Sequence, residues 1–264
     1  MKNLSGKTIL LTGAGGHLGS AMAVGFAAAG GLVYLNGRNQ KTLEPLLGEI
    51  SAFGGQAEIL PFDVNDSDAV FMALEEIRSR CGRIDVLVNN AYHGMGGTLE
   101  TSTDAEFSES YQVAVTAAAA LIRAALPLLR KSYGDDNRGG ASIINVASMY
   151  GLVSPDFRAY ETDASTNPPF YGAAKAALIQ LTRYLACQLA KDKIRVNALC
   201  PGPFPSPSVQ ASNPEFIRKL EDRVPLGRIG AAEEIKGPAN FLASDHSSYV
   251  TGVTLKVDGG WTAW

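Results

Sequence analysis

Seven short apolar runs alternate along the chain with longer segments of helical spacing, and this alternation constrains the fold more than any other feature. The runs are Lys7–Thr12, Gly31–Asn36, Gln56–Phe62, Ile84–Asn89, Ala141–Val146, Ile194–Leu199 and Val253–Val257. Most are continuously apolar, which is typical of strands that are covered on both faces. Helical patterns occupy 17–29, 40–52, 66–81, 104–131, 171–191 and 232–243. We therefore predict the α/β class: a doubly wound parallel sheet of about seven strands, with helices on both faces.

Composition and charge narrow the class of protein further. The chain has 264 residues, 46% of them apolar, and no internal repeat or linker, so we predict one domain spanning 1–264. The net charge of −3 and the lack of a basic stripe argue against a nucleic-acid partner. The three cysteines have no metal-ligand spacing, so we expect no metal site and a reducing, cytoplasmic location. The apolar stretch 113–129 is interrupted by Arg123 and Pro127, and no signal segment is evident, so we expect no membrane span.

A glycine-rich turn joins the first strand to a helix of small residues. Its candidate phosphate-binding residues are Gly13, Gly15, Gly16, His17, Leu18 and Gly19. Backbone N–H groups at the start of a helix can approach a pyrophosphate, and the helix dipole favours its charge. No acidic residue precedes Glu44, whereas four basic residues do, which also suits an anion. The G-x-G-x-x-G spacing is not met, because Leu18 stands at the third glycine position, so a merely structural turn is the alternative.

The end of the second strand bears on which dinucleotide would bind. An acidic residue there usually holds the ribose hydroxyl of NAD, but this chain has Asn36 followed by Arg38. A guanidinium can bind a 2′-phosphate, so we predict NADP(H) in preference to NAD(H), without excluding the latter. His17 could add a second donor, or it could simply face solvent.

Tyr171 and Lys175 form a candidate acid–base pair. Residues i and i+4 lie on one face of a helix, so the ammonium can be held near the phenol. Positive charge near a tyrosine favours the phenolate, and such a pair can move a proton to or from an alcohol or carbonyl. Chance alone readily yields one such pair, so other motifs must support it.

Seven sequence blocks in order supply that support. They are Thr12–Gly19, Asp63–Val64, Asn89–Ala91, Asn145–Ser148, Tyr171 with Lys175, Arg195–Asn197 running to Pro201–Gly202, and Val257–Gly260. Over essentially its whole length the chain resembles the short-chain dehydrogenase/reductase family, whose members have a single Rossmann-type domain.

The resemblance implies a role for each matching residue. Tyr171 would be the general acid or base, Lys175 would lower its pKa and bind the nicotinamide ribose, and Ser148 would hold the substrate oxygen. Asp63 and Val64 would contact the adenine. The remaining cofactor contacts would be Asn89, Asn90, Ala91, Pro201, Gly202 and Ser206. The family also implies a homotetramer or dimer, for which the alanine-rich helices at 112–130 and 172–190 offer smooth faces.

Departures from the family pattern lie in the phosphate loop and in one helix. His17 replaces a usual glycine, with Gly16 one position earlier, so the turn could be altered. Ala114 replaces the asparagine that would hold a proton-relay water. Because alanine cannot position water, proton exchange would need backbone groups, Gln112 or another route.

Two further departures concern the substrate. Tyr171 follows Ser148 by 23 positions, against about 13 in the family, so roughly ten residues are inserted, mainly in Ser154–Pro169. We expect this loop at the mouth of the site, where it would grip substrate or form a solvated excursion. Arg158 could then bind an anionic or polyhydroxylated substrate. Tyr92 stands where the family has glycine, and His93 follows it. These two side chains would either face the substrate or pack within the protein. A second polar loop, Ser132–Gly140, is expected at the surface.

We therefore expect an enzyme that transfers hydride between NADP(H) and a carbonyl or secondary alcohol. A weak resemblance to bacterial surface-glycan and flagellin-sugar enzymes suggests a sugar-derived substrate, and a ketone or 3-oxoacyl compound stays open. The alternative is a catalytically weak cofactor-binding sensor or assembly protein. A nucleotide-sugar epimerase or dehydratase is disfavoured, because too little chain follows Lys175 for a separate substrate domain.

Overall fold

The computed structural model describes residues 3–94, 96–132 and 140–264, and it contains the predicted sheet. The strands are β1 (Thr8–Leu11), β2 (Leu32–Leu35), β3 (Gln56–Ile59), β4 (Val86–Asn89), β5 (Ser142–Val146), β6 (Arg195–Pro201) and β7 (Thr254–Val257). They form one sheet in the order β3-β2-β1-β4-β5-β6-β7, and every neighbouring pair is parallel. The strand order reverses direction between β1 and β4, and a crevice opens at the carboxyl ends of strands at such a point.

The helices follow the predicted segments, with local differences at their ends. They are α1 (His17–Ala28), α2 (Glu44–Ala52), α3 (Ser67–Cys81), α4 (Asp104–Tyr111), α5 (Ala117–Leu129), α6 (Pro169–Leu189), α7 (Pro207–Ser212), α8 (Pro214–Glu221) and α9 (Lys236–Ala243). The helix predicted over 104–131 is interrupted by a π-helical turn, Gln112–Thr116. Helix α6 begins two residues early because Pro169 occupies its first turn, where the missing N–H costs nothing.

Helices α7 and α8 are absent from the prediction, since neither is long enough to show a hydrophobic period. The signal that could have revealed them is a capping residue followed by proline. Ser206 precedes Pro207, and Asn213 precedes Pro214. The Asn213 side chain accepts a hydrogen bond from the Phe216 N–H at 2.9 Å, which caps α8.

Apolar cores on the two faces of the sheet confirm the doubly wound prediction. Ile9 and Leu11 of β1 pack on the face covered by α1, α2 and α9, whereas Leu10 packs on the face covered by α3, α5 and α6. The run Asp104–Ser132 is long and apolar enough to cross a membrane, but more than half of its apolar window is buried inside the fold. Most of the predicted surface loop Ser132–Gly140 lies outside the described residues.

Candidate active site

The glycine-rich turn is held tightly against the end of β4. Gly13 has φ +63°, and a Cβ at this position would lie 2.9 Å from Ala91 Cα, so the backbone leaves no room for a side chain. A Cβ on Gly19 would overlap the Gly13 carbonyl oxygen. Gly15 is exposed, and a Cβ there would meet the tip of the Leu43 side chain and, at greater distance, Thr42. Gly13 and Gly19 are therefore required by the close approach of backbone segments.

Side chains of the β1 and β4 ends fasten this turn. Thr12 Oγ1 accepts hydrogen bonds from the N–H groups of Asn90 at 2.9 Å and Ala91 at 3.1 Å, and donates to the Val88 carbonyl. The Asn90 amide donates to the carbonyls of Thr12 at 3.0 Å and Gly13 at 2.9 Å. Asn90 thus shapes the turn through its side chain, as well as lining the cavity beyond it.

The central cavity, of about 390 Å³, lies between the glycine-rich turn and the start of α6. The predicted site residues that line it are Gly13, Gly16, His17, Leu18, Gly19, Asn90, Ser148, Tyr171, Lys175, Pro201 and Gly202. His17 Nε2 is buried and has no hydrogen-bond partner among the described residues. The glycine-rich turn leaves its backbone N–H groups uncovered by side chains, and His17 adds an unpartnered imidazole nitrogen. Both features fit the phosphate groups of a dinucleotide.

Ser206 is not among the residues lining this cavity. Its hydroxyl lies 2.9 Å from that of Ser208, in the first turn of α7. The resemblance places a hydroxyl against the nicotinamide amide here, and in the structure this hydroxyl pairs with Ser208.

The β2 cavity, of about 160 Å³, adjoins the central cavity at the end of β2. It is lined by Asn36, Arg38, Asp63, Val64, Ala91 and His93, among others. The Asn36 amide donates to the carbonyls of Leu60 and Phe62, so it ties β2 to the chain after β3. Arg38 is exposed, and within the described ranges no carboxylate lies at ion-pair distance from it. Its guanidinium is available to an anion in this cavity.

His93 requires a correction, because it lies in the β2 cavity and does not line the space expected for substrate. Its Nε2 is 3.7 Å from the Glu109 carboxylate, and its side chain is half-exposed. Both Tyr92 and His93 line the β2 cavity, but only Tyr92 also lines the central cavity with Tyr171 and Lys175.

Ser148, Tyr171 and Lys175 meet where β5 ends and α6 begins. The Ser148 side chain hydrogen bonds to the Tyr171 phenol, and its Oγ accepts from the Tyr150 N–H at 3.2 Å. Lys175 is buried, and its Nζ donates to the Val146 carbonyl at 2.8 Å. The same Nζ lies 5.7 Å from the Tyr171 ring centroid. The i, i+4 spacing on one helix therefore brings the pair together as predicted.

Burial governs the protonation of this pair. Burial raises the pKa of Tyr171 to about 12, and the hydrogen bond with Ser148 opposes that rise. Burial lowers the pKa of Lys175 to about 8. The resemblance implies that Lys175 lowers the pKa of Tyr171, and the hydrogen bond with Ser148 acts in the same direction. At neutral pH the phenol is therefore protonated and ready to donate.

Tyr92 packs directly against Tyr171 and Lys175. Its ring meets that of Tyr171 edge-on, with centroids 5.0 Å apart, and Lys175 Nζ lies 4.8 Å from its centroid. Its hydroxyl is 2.9 Å from that of Ser110. A tyrosine where the family has glycine thus places an aromatic face over the lysine ammonium, a favourable cation–π contact.

The insertion cavity, of about 430 Å³, opens on the other side of Ser148 and Tyr171. The inserted segment contributes Tyr160, Ser165, Thr166, Asn167 and Pro168 to its wall. The opposite wall comes from the chain after β6, from α7 and from α8, including Phe204, Val209, Phe216 and Leu220. The structure therefore brings the inserted loop to the mouth of the site, as expected.

Arg158 is not in this wall. Its guanidinium makes two hydrogen bonds to the Asp156 carboxylate, at 2.9 and 2.8 Å, and its side chain is 86% exposed. Asp156 also receives Arg223 Nη1 at 2.5 Å, and the Arg223 guanidinium lies over the Trp261 ring. The expectation that Arg158 binds substrate is not supported, because a carboxylate two residues earlier holds it at the surface.

Ala114 lies in the π-helical turn and is buried beside Lys175. The two residues help to line a small cavity, of about 10 Å³, which is close to the minimum that holds one water. Asn89 lines the same cavity, and its amide donates to Asn145 Oδ1 at 2.8 Å. Gln112 is exposed and does not line it, so it is not placed to replace the missing asparagine.

Comparisons with known proteins agree with this geometry. Residues 13–262 match the family model described as enoyl-(acyl carrier protein) reductase. The chain is 32% identical to the rhamnolipids biosynthesis 3-oxoacyl-[acyl-carrier-protein] reductase of Pseudomonas aeruginosa, covering 98% of this chain and 97% of the relative. It is 33% identical to the 2-dehydro-3-deoxy-D-gluconate 5-dehydrogenase of Dickeya dadantii, covering 99% and 97%.

A solved structure, the gluconate 5-dehydrogenase of Burkholderia cenocepacia in complex with NADP and tartrate, superimposes with a TM-score of 0.86. The two chains are 30% identical, and the match covers 100% of this chain and 98% of the other. The chain belongs to the short-chain dehydrogenase/reductase family. It is an NAD(P)-dependent oxidoreductase acting on carbonyl or secondary alcohol groups, and the sensor alternative is not favoured.

Proposed function

We propose that this enzyme uses NADP(H) to reduce a ketone, with Ser148, Tyr171 and Lys175 as its catalytic residues. The observation that carries the proposal is that Ser148 and Tyr171 line both the central cavity and the insertion cavity. A carbonyl entering from the insertion cavity therefore meets these two hydroxyls at the boundary with the cofactor cleft.

The chain supplies the proton and the electrostatic environment of the reaction. When bound, the nicotinamide supplies the hydride. Tyr171, neutral at pH 7, donates its proton to the carbonyl oxygen as negative charge develops there. Ser148 hydrogen bonds to the same oxygen, and the buried ammonium of Lys175 stabilises the phenolate that Tyr171 leaves behind.

An assay that monitors the oxidation of NADPH by its absorbance, with a panel of ketones as substrates, tests this assignment. Tyr171→Phe should reduce kcat by roughly 100- to 10,000-fold, the usual contribution of a general acid, while the Kd for NADPH stays unchanged. Tyr249→Phe is the matched control, since the Tyr249 side chain is fully exposed and lines neither the insertion cavity nor the central cavity. Unchanged turnover by Tyr171→Phe would disprove the role.

The preference for NADP(H) rests on Arg38 in the β2 cavity, where no acidic residue follows β2 directly. The NADP found with the Burkholderia enzyme is consistent with it. Arg38→Asp should reverse the order of affinities, because a carboxylate repels a 2′-phosphate and accepts hydrogen bonds from a ribose hydroxyl. Titration of wild type and variant with NADPH and NADH measures this, and wild-type NADH binding as tight as NADPH would refute it.

We also propose that the enzyme is a homo-oligomer located in the cytoplasm. Large side chains stay exposed on α4 and α6, among them Tyr111 at 50% and Tyr184 at 64%, which suits a partner subunit against these helices. Light scattering coupled to size-exclusion chromatography should give a dimer or tetramer. Cell fractionation checks the location.

A further inference from the structure

The wall of the insertion cavity carries no acidic or basic side chain among the described residues. Its broad surfaces are aromatic or aliphatic, from Tyr150, Tyr160, Phe204 and Phe216. The guanidiniums of Arg158 and Arg223 are committed to Asp156 and do not line the cavity. Moving a charged group from water into such a space without a partner is strongly unfavourable. The cavity therefore selects against carboxylates and phosphates.

Most polar side chains of this wall already have partners within the protein. The Tyr150 and Tyr160 hydroxyls pair with each other at 3.1 Å. The Ser165 and Thr166 hydroxyls both donate to the Thr162 carbonyl, at 2.8 and 3.1 Å. These groups shape the inserted segment and have little capacity left for a ligand.

Asn167 is the exception. Its Oδ1 is buried and has no hydrogen-bond partner among the described residues. The backbone on either side is fixed, because the Asn167 backbone hydrogen bonds to the Tyr160 hydroxyl and Pro168 precedes α6. A buried acceptor without a donor is costly and is rare in proteins. Because Asn167 lines the insertion cavity, a turn of its amide about the last side-chain bond brings the unpartnered acceptor to a donor supplied by the ligand.

We propose that Asn167 determines specificity by accepting a hydrogen bond from an O–H or N–H group of an uncharged ketone. The substrate has an apolar, flat body that fills the aromatic walls, a carbonyl at Ser148 and Tyr171, and a separate donor that reaches Asn167. This inference rests on the proposed ketone reduction and names the substrate class of that site.

The test compares matched neutral ketones in the NADPH-oxidation assay. The probes are the ortho, meta and para hydroxyacetophenones, the corresponding methylacetophenones, and acetylbenzoate with its methyl ester. Wild type should prefer at least one hydroxyl isomer over its methyl analogue by about 5- to 10-fold in kcat/KM, as expected for one neutral hydrogen bond. It should turn over the methyl ester at least tenfold better than acetylbenzoate.

Asn167→Leu removes the acceptor and should abolish the hydroxyl preference, while kcat/KM for the methylacetophenones stays within about twofold. Ser165→Ala is the matched loop control and should keep the preference, since that hydroxyl faces Thr162. Should Asn167→Leu fail to fold, Asn167→Ala also removes the acceptor and should likewise abolish the preference. A preference that persists in the variant that folds, or equal turnover of acetylbenzoate and its ester, overturns the proposal.

A binding measurement separates this inference from the proposed function. If the enzyme reduces none of these ketones, the proposed function is refuted. Saturation-transfer NMR on the NADP complex can still compare the binding of the same probes. Stronger binding of a hydroxyl isomer to wild type than to Asn167→Leu supports the role of Asn167. Equal binding to both proteins overturns it.

Discussion

The substitution Gly13→Ala tests whether the glycine-rich turn is set by backbone crowding. Two costs follow from the structure. A residue with a side chain at φ +63° pays roughly 1 kcal/mol or slightly more for the left-handed conformation. The added Cβ would stand 2.9 Å from Ala91 Cα and 3.0 Å from Asn90 Nδ2, and overpacking of this kind costs about 1–3 kcal/mol. We therefore expect a total loss of about 2–4 kcal/mol in the free energy of unfolding.

Gly54→Ala is the matched control for Gly13→Ala. Gly54 has φ +75°, and nothing lies within 4 Å of a Cβ there, so it isolates the backbone cost. Chemical denaturation should show a loss of about 1 kcal/mol for Gly54→Ala. The Kd for NADPH should rise at least about tenfold in Gly13→Ala and stay constant in the control, because only the former moves the turn. Equal stability losses together with an unchanged Kd would refute the crowding argument.

Three further perturbations have defined outcomes. Burial lowers the pKa of Lys175 to about 8 and raises the pKa of Tyr171 to about 12. The value of kcat/KM for reduction should therefore be constant below about pH 8 and fall above it, because the Lys175 ammonium is lost. A pH profile that stays flat to pH 10 would contradict this. Arg223→Leu should raise KM several-fold by freeing the inserted segment from the chain after α8. Arg158→Leu removes an exposed ion pair worth about 0–1 kcal/mol and should leave KM unchanged. Steady-state kinetics on both variants measures this. Thr12→Val should lower the free energy of unfolding by about 1–3 kcal/mol and weaken NADPH binding, because it leaves the N–H groups of Asn90 and Ala91 without an acceptor. Chemical denaturation measures the loss, and a variant as stable as wild type would show that Thr12 does not hold the turn.

The architecture was predictable because parallel strands buried on both faces must be continuously apolar. Leu10 and Leu11 face opposite cores, so neither could be polar. The catalytic pair was predictable for a similar reason, since four residues on a helix return to the same face. These features follow from local geometry that the order of residues imposes directly.

The walls of the insertion cavity depend on contacts between distant segments, which local patterns do not report. Arg158 was expected to bind substrate, but its neighbour Asp156 holds it outward and also binds Arg223 from a remote part of the chain. The buried oxygen of Asn167 becomes visible only once the inserted segment is seen packed against α6. For His93 the sequence left two alternatives, facing the substrate or packing, and its place in the β2 cavity depends on the path of the chain after β4.

Tyr92 links the site for the cofactor to the site for the substrate. Its ring lines the central cavity, the β2 cavity and the insertion cavity at once. A cofactor spanning the first two cavities therefore fixes the position of one wall of the third. By thermodynamic reciprocity, a substrate that prefers that position must tighten the binding of the cofactor by the same factor. We therefore expect dinucleotide and ketone to bind cooperatively, each lowering the Kd of the other.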